Sequence, residues 1–353
     1  MGAKRRQLRA IDLFSGCGGL TTGLKLAGFH VIAAAEVDSL ATSTYHANHP
    51  EVTILEGDIR RLSASSLKRK LDLRKGQVDL IAGCPPCQAF SAMRTLNGSR
   101  VVRGGGKNLV FEFVRFVRAL LPRAIMMENV PGLSRDRRMP SVLRQLSKLG
   151  YACEFRVLDV ADYGVPQRRR RLILLGSRSG RVQFASPSKR RKTVRDAIGM
   201  LPKPGHSGDP IHDLVGKHGP KVSALIKRIR RNGGSRTELP RHSQLECHKS
   251  TTGFKDVYGR MAWDKVAPTI TTGCVNPSKG RFLHPVQNRA VTLREAALLQ
   301  SFPPCYYFSL ESGKFPAASL IGNALPPEFV RRHARKIAAH LRQNTGIRRK
   351  HGR

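Results

Sequence analysis

Acidic residues are scarce in this chain: 24 Asp and Glu stand against 63 Lys and Arg in 353 residues, a formal charge of +39. The excess runs through the whole chain, as in Arg168 to Arg171, Lys189 to Lys192 and Arg228 to Arg231. A polyanion is the natural partner, although charge alone does not separate DNA from RNA or from acidic lipid. No apolar run approaches the roughly 18 residues of a membrane span, so no membrane partner is expected. Met1 to Arg9 is basic and lacks the apolar core and cleavage site of a signal peptide, and Arg6 stands where a myristoylation signal needs Ser or Thr. These absences predict a cytoplasmic protein. Cysteines number only seven, which points to free thiols and not to a disulfide framework. Around Cys247, His248 and Cys274, no second C-x-x-C or H-x-x-x-H spacing completes a tetrahedral zinc site, so no metal is expected. Internal repeats are absent as well.

What is present is a regular alternation. Ile11 to Phe14, Val31 to Ala35, Leu80 to Ala82, Ala124 to Met127 and Arg171 to Leu175 read as strands separated by turns and helices, the pattern of a doubly wound α/β sheet. Leu20 to Ala27 reads as a helix, as does Leu109 to Leu121, whose Phe113, Phe116, Val117 and Leu120 share one face and predict core packing. Beyond Gly176 the alternation fades until about Pro285, in a stretch rich in Gly, Pro, Lys, Arg and His. Its helical patterns are Val194 to Met200 and Val222 to Ile229. Helices resume at Leu293 to Leu299 and Pro327 to Leu341, the last expected to pack back on the first lobe. Two lobes of unequal size follow.

Chemistry-bearing residues cluster where these strands end, the place where ligands bind in open α/β sheets. The first strand runs into Asp12-Leu13-Phe14-Ser15-Gly16-Cys17-Gly18-Gly19, a glycine turn that lets a ligand approach backbone amides at a helix N-terminus. The same turn could stand with no ligand. Glu36, after the second strand, can accept both hydroxyls of a ribose, and Asp58, after Val52 to Leu55, can accept from an adenine amino group. Either alone reads equally as a surface carboxylate; together the three features point to an adenosine-bearing cofactor. Cys87 follows Leu80 to Ala82 in Gly83-Cys84-Pro85-Pro86-Cys87-Gln88, a rigid turn that presents a nucleophile, although Cys84 and Cys87 also form a C-x-x-C pair open to redox or zinc roles. Glu128, in Glu128-Asn129-Val130, is either a cap or ion-pair partner or a buried acid able to donate to a ring nitrogen. In Gln167-Arg168-Arg169-Arg170-Arg171, alternate side chains share a face, so Arg169 and Arg171 can serve one site, binding an anion and favouring a thiolate.

Taken in order, these motifs resemble those of the DNA cytosine-5 methyltransferases of bacteria over nearly the whole chain. Asp12 to Gly19 resembles the family's S-adenosylmethionine loop, Pro85-Pro86-Cys87-Gln88 its nucleophile motif, Glu128-Asn129-Val130 its acid motif, and Gln167, Arg169 and Arg171 its Gln-x-Arg-x-Arg motif. Arg294 to Pro303 and Gly322 to Pro327 are similar to its last two motifs. The resemblance implies a Rossmann-like S-adenosylmethionine-dependent catalytic domain at residues 1–178 and 286–345, a smaller, irregular target-recognition domain inserted at 179–285, and a basic tail at 346–353. It implies Cys87, Glu128, Arg169 and Arg171 as catalytic residues. Phe14, Gly16, Cys17, Gly19, Glu36, Asp58, Ile59, Pro86, Leu109 and Asn323 are implied as cofactor-binding. Ser91 to Lys107 would be a closing loop hinged at Gly104 to Gly106, and Cys84 a small packed residue. One departure is Leu320, where the family often has Gln, which implies loss of one supporting hydrogen bond.

The implied reaction attaches a methyl group to carbon 5 of a flipped-out cytosine in a short specific duplex sequence, through a covalent Cys87 adduct at carbon 6. Gln88, Ser91, Arg241, Arg260 and Lys279, with His242, are the candidate DNA contacts. Double-stranded DNA is the expected partner, a cognate restriction endonuclease a further one, and a monomer working at the bacterial nucleoid the expected state. Two rivals are a transfer-RNA cytosine-5 methyltransferase of the same family and a non-catalytic DNA-binding regulator. Ser91 and the segment from Val257 to Phe282, which is similar to the end of a bacterial recognition domain, speak against the first. Intact Cys87, Glu128, Arg169 and Arg171 speak against the second.

Overall fold

The computed structural model of the chain describes residues 6–86, 108–246 and 255–350, with residue 241 and residues 345–350 described by their backbone alone. Its elements run β1 (Leu8–Leu13), α1 (Gly19–Leu26), β2 (Phe29–Glu36), α2 (Ser39–Asn48), β3 (Thr53–Glu56), α3 (Ala64–Lys70), β4 (Leu80–Gly83), α4 (Leu109–Leu120), β5 (Ala124–Asn129), α5 (Arg138–Lys148), β6 (Ala152–Asp159) and β7 (Arg170–Ser177). After these come α6 (Val194–Ile198), α7 (Pro210–Asp213), α8 (Pro220–Arg228), α9 (Leu293–Leu299), α10 (Lys314–Asn323) and α11 (Pro327–Lys350).

The seven strands form one sheet in the order β3-β2-β1-β4-β5-β7-β6. Strands β1 to β5 pair in parallel, while β7 runs antiparallel to both β5 and β6. The expected α/β sheet is therefore present, with an antiparallel edge. Strand β6 was not anticipated from the sequence: all but one of its residues are half-buried and none is fully buried, so Glu154 and Arg156 interrupt the apolar run that marks an inner strand.

Packing divides the chain into two compact units, one comprising Met1–Asp159, Arg170–Pro187 and Pro327–Arg353, the other Val160–Arg169 and Ser188–Pro326. In the first unit, one face of the sheet (Ile11, Leu13, Ile81, Ile125, Leu172, Leu174) packs with α3, α4 and α5. Phe113, Phe116, Val117 and Leu120 are fully buried there, as their helical spacing predicts. Burying such side chains contributes about 1.5–3 kcal/mol each. Helix α11 lies against α1, and α1 against β2.

The boundaries by packing differ from those read in the sequence. Residues 286–326 belong to the second unit, where α9 leans on α6, α7 and α10; the part that returns to the first unit begins at Pro327. A capping box in which Thr292 and Glu295 exchange side-chain and backbone bonds starts α9, and Arg289 grips the buried Glu295 at 2.6 and 2.7 Å. A smaller core of Leu225, Ile226, Ile229, Tyr258 and Leu283 holds the middle of this unit. Among the described residues no helix is long and apolar enough to cross a membrane.

Candidate active site

The sheet order reverses between β1 and β4, and a crevice for ligands opens at the carboxyl ends of strands flanking such a reversal. The loop after β1 occupies one side of it. Gly16 and Gly18 take positive φ, and so does Phe14 at 61°, a conformation that costs a non-glycine residue free energy and concentrates at functional loops. Gly16 donates its N–H to Glu36 Oε2 at 2.7 Å, and Glu36 Oε1 accepts from Val37 and Asp38. The glycine turn and the acid after β2 are thus one structure.

This turn fits the adenosine-bearing cofactor expected there. Apart from its two chain neighbours, no atom of the described residues lies within 4 Å of where a side chain on Gly16 would begin, and the buried Ser15 Oγ has no partner among the described residues. Cys17 is buried, and burial pushes its thiol up to about 12, so it contributes backbone and packing, not reactivity. Gly19 opens α1. Asp58 stands after β3 beside the buried Ile59, but its carboxylate is gripped by the Arg60 guanidinium, which holds it down at about 2. Leu109, half-buried, starts α4.

On the other side of the reversal, β4 ends at Gly83, whose missing side chain lets Leu13 O and Phe113 come within 2.8 and 3.1 Å of its Cβ position. Cys84, Pro85 and Pro86 follow, Pro86 exposed. Cys87, Gln88 and Ser91 lie outside the described residues, as does the Ser91 to Lys107 loop. At the end of β5, Glu128 makes an ion pair with Arg171 Nε at 2.7 Å. Register explains this meeting: Glu128 faces Ile173 across the antiparallel ladder, and Arg171 lies diagonally on the same face. The part-buried Cys84 thiol donates a hydrogen bond to Glu128, and burial with that neighbouring charge raises it well above the usual thiol range. Cys84 is therefore a neutral donor touching the acid, a fuller role than the small packing residue expected. Next to Glu128, the buried Asn129 donates to Pro85 O at 2.9 Å and accepts from Val130 N–H. Asn129 thereby ties the edge bearing the acid to the turn that leads to Cys87.

Arg169 and Arg171 were expected to serve one site, but their partners differ. Arg171 lies in the first unit with Glu128; Arg169, buried in the second, donates to the carbonyls of Gly322 and Ala324. Those carbonyls end α10, so the Gln-x-Arg-x-Arg and Gly-Asn-Ala-Leu-Pro-Pro segments interlock. Gln167 belongs to the same network: fully buried, it accepts from Ile270 N–H and reaches Gln300, which donates to Ile321 O. The Cβ position of Gly322 falls within 2.5 Å of Thr271 and Thr272 backbone, a contact only glycine permits. Asn323 is exposed beside it in the second unit, and Leu320 is buried.

Of the candidate DNA readers, Arg260 requires correction. It is fully buried, and its five N–H donors go to the carbonyls of Ile229, His284, Gln287 and Ile226 and to Asn288 Oδ1. None is left for a base. Arg260 cross-links the second unit, a use of arginine that the sequence does not distinguish from a surface contact. Lys279 and His242 are exposed, and Arg241 lies in a short helical turn. Among the described residues no cluster of three or more potential ligands could hold a metal.

Comparison with known proteins identifies the family. The family model described as C-5 cytosine-specific DNA methylase matches residues 8–339. The Type II methylase M.HgiDII of Herpetosiphon aurantiacus is 39% identical, over 94% of this chain and 95% of its own length. The Type II methyltransferase M1.HphI of Haemophilus parahaemolyticus is 34% identical, over 96% and 88%. Among solved structures, a methyltransferase encoded within an Escherichia coli prophage superposes with a TM-score of 0.66 at 25% identity, covering 96% of this chain and 100% of that one. Matched by this family model over nearly its whole length and by relatives at 39% and 34% identity, this protein belongs to the C-5 cytosine-specific DNA methylases.

Proposed function

We propose that this DNA cytosine-5 methyltransferase is the modification enzyme of a Type II restriction-modification system, methylating one cytosine of a short duplex sequence through a covalent adduct with Cys87. A cognate restriction endonuclease acting on the same site is part of this reading, in keeping with the Type II names of the relatives, and a monomeric enzyme is a further part of it. The observation that carries the mechanism is the placement of Glu128: paired with Arg171 and Cys84 at the carboxyl end of β5, and fastened through Asn129 to the turn that leads to Cys87.

Carbon 5 of cytosine is a weak nucleophile, so electrons must first be supplied to the ring. Addition of the Cys87 thiolate to carbon 6, with Glu128 protonating ring nitrogen 3, converts the 5,6 double bond into an enamine with its electron density at carbon 5. S-adenosylmethionine, when bound, supplies the activated methyl group; Phe14 to Gly19, Glu36, Asp58, Ile59, Pro86 and Leu109 of the first unit would hold it. Loss of the carbon 5 proton then expels Cys87. Arg171 orients the Glu128 carboxyl, and Arg169 holds the late motifs in register. A stacked base cannot meet these groups, so the target nucleotide leaves the duplex at a cost of a few kcal/mol, offset by contacts from the basic surface. Gln88, Ser91, Arg241, His242 and Lys279 remain the proposed DNA contacts, in a recognition region at roughly 179–285.

The test is expression in a bacterium without cytosine methylation of its own, followed by genome-wide mapping of 5-methylcytosine, with Cys87→Ala in parallel. Methylation at one short sequence that disappears in the variant, while S-adenosylmethionine binding persists, is the expected result. Methylation retained by Cys87→Ala would remove Cys87 from the mechanism.

A further inference from the structure

The second unit contains a cavity of about 410 Å³ whose lining among the described residues includes Arg168, Arg230, Arg260, Lys265 and Arg281 and no acidic residue. These cations are not equivalent. Arg230 is paired with Glu238 and Arg281 with Asp256. Arg260 spends its donors on carbonyls and Asn288, which leaves its positive charge without a carboxylate partner in the wall. The exposed side chains of Arg168 and Lys265 have no hydrogen bond or ion pair among the described residues.

Their backbones, by contrast, are fastened. Arg168 donates its N–H to Ala267 O at 2.9 Å and accepts from the Thr269 hydroxyl at 2.8 Å. Lys265 accepts from Val194 N–H at 2.9 Å. Two unpaired cations thus rise from fixed supports at a cavity whose wall already holds a buried positive charge. In a chain with so many arginines and so few acids, a concave surface with no carboxylate in its lining holds a strong positive potential. The ligand that satisfies it is an anion with several acceptor oxygens, and a guanidinium beside an ammonium suits a phosphodiester.

We propose that this cavity seats a backbone phosphate of duplex DNA, gripped by Arg168 and Lys265. Arg168 occupies the variable position of Gln-x-Arg-x-Arg, so the seat adjoins the segment in which Gln167 and Arg169 bind the late motifs. It positions the duplex and carries no base information. The proposal rests on the reading of the protein as a DNA methyltransferase.

The experiment measures binding of the full-length protein to a 30-base-pair duplex of mixed sequence between about 50 and 200 mM salt, a range over which each phosphate contact contributes about 0.9 to the logarithmic salt slope. Arg168→Gln/Lys265→Gln is compared with wild type and with Lys203→Gln/Lys217→Gln, which removes the same charge from exposed positions in the same unit. The cavity variant is expected to lose about 1 in slope and roughly tenfold in affinity beyond the control, with an unchanged melting temperature. Equal losses in the two variants would overturn the phosphate seat while leaving the methyltransferase reading intact. A wild-type protein that neither binds the duplex nor methylates DNA would overturn that reading, and the seat with it.

Discussion

Asp12 shows how a single residue joins fold to site. It is fully buried at the end of β1, accepts from Thr21 at 2.7 Å, and Thr21 in turn meets the Tyr45 hydroxyl at 2.8 Å; Asp12 Oδ1 has no partner among the described residues. Burial pushes its carboxyl up to about 8 against the lowering effect of Thr21, and the charge of Glu36 adds to the rise. A carboxyl raised above its ordinary value of 3.8 contributes stability that is complete below that pH and is lost as pH climbs toward 8. Asp12→Asn removes the titration. Urea unfolding from pH 5 to pH 9 should therefore show wild type losing stability relative to Asp12→Asn by up to about 1.4 kcal/mol per pH unit until near pH 8, then a constant difference. Parallel pH curves for the two proteins would mean that Asp12 is ionised in the folded state.

Elements meet at close range where glycine permits it. Helix α1 opens behind the glycine turn, and its Gly23 faces α11 so closely that a Cβ would lie 2.4 Å from Val330 Cβ and 2.5 Å from Pro327 O. On helix propensity alone, Gly23→Ala would stabilise α1 by about 1 kcal/mol; overpacking against α11 costs typically 1–3 kcal/mol or more. Packing should win, with a net loss of about 1–2 kcal/mol seen as a lower urea midpoint at unchanged m, and a gain in stability would show that the two helices do not meet this closely. Contacts of this kind explain what the sequence disclosed and what it did not. Helical spacing in Leu109 to Leu121, the glycine turn, Glu36 and the Glu128 motif are local patterns, legible one segment at a time. The pairing of Glu128 with Arg171, the tie from Asn129 to Pro85 and the burial of Arg260 each join residues far apart in the chain, by 24 positions at the least, and no periodicity encodes them. Strand β6 escaped notice for the opposite reason, since a half-exposed edge strand carries charges that mask its pattern.

At the scale of the whole molecule, charge sets two equilibria against each other. Most of the 24 carboxylates already stand in ion pairs with Arg or Lys, so the excess of +39 is carried by cations with no acid to meet. In the free protein these cations repel one another in the compact state more than in the expanded chain, and the Debye length of about 30 Å at 0.01 M salt lets that repulsion act across the molecule; at 0.15 M it falls to about 8 Å. Raising sodium chloride from 0.02 to 0.2 M should therefore raise the melting temperature of the free protein. Duplex DNA supplies the missing negative charge directly, and a ligand bound only by the folded state stabilises it by mass action. For the complex the same salt works in the other direction, because counterions released on binding are harder to release into concentrated salt. The DNA-dependent rise in melting temperature should accordingly be largest at 0.02 M and shrink toward 0.2 M while the melting temperature of the free protein climbs. A free protein whose melting temperature falls over this range would show that its ion pairs, which salt weakens, outweigh the repulsion among its unpaired cations.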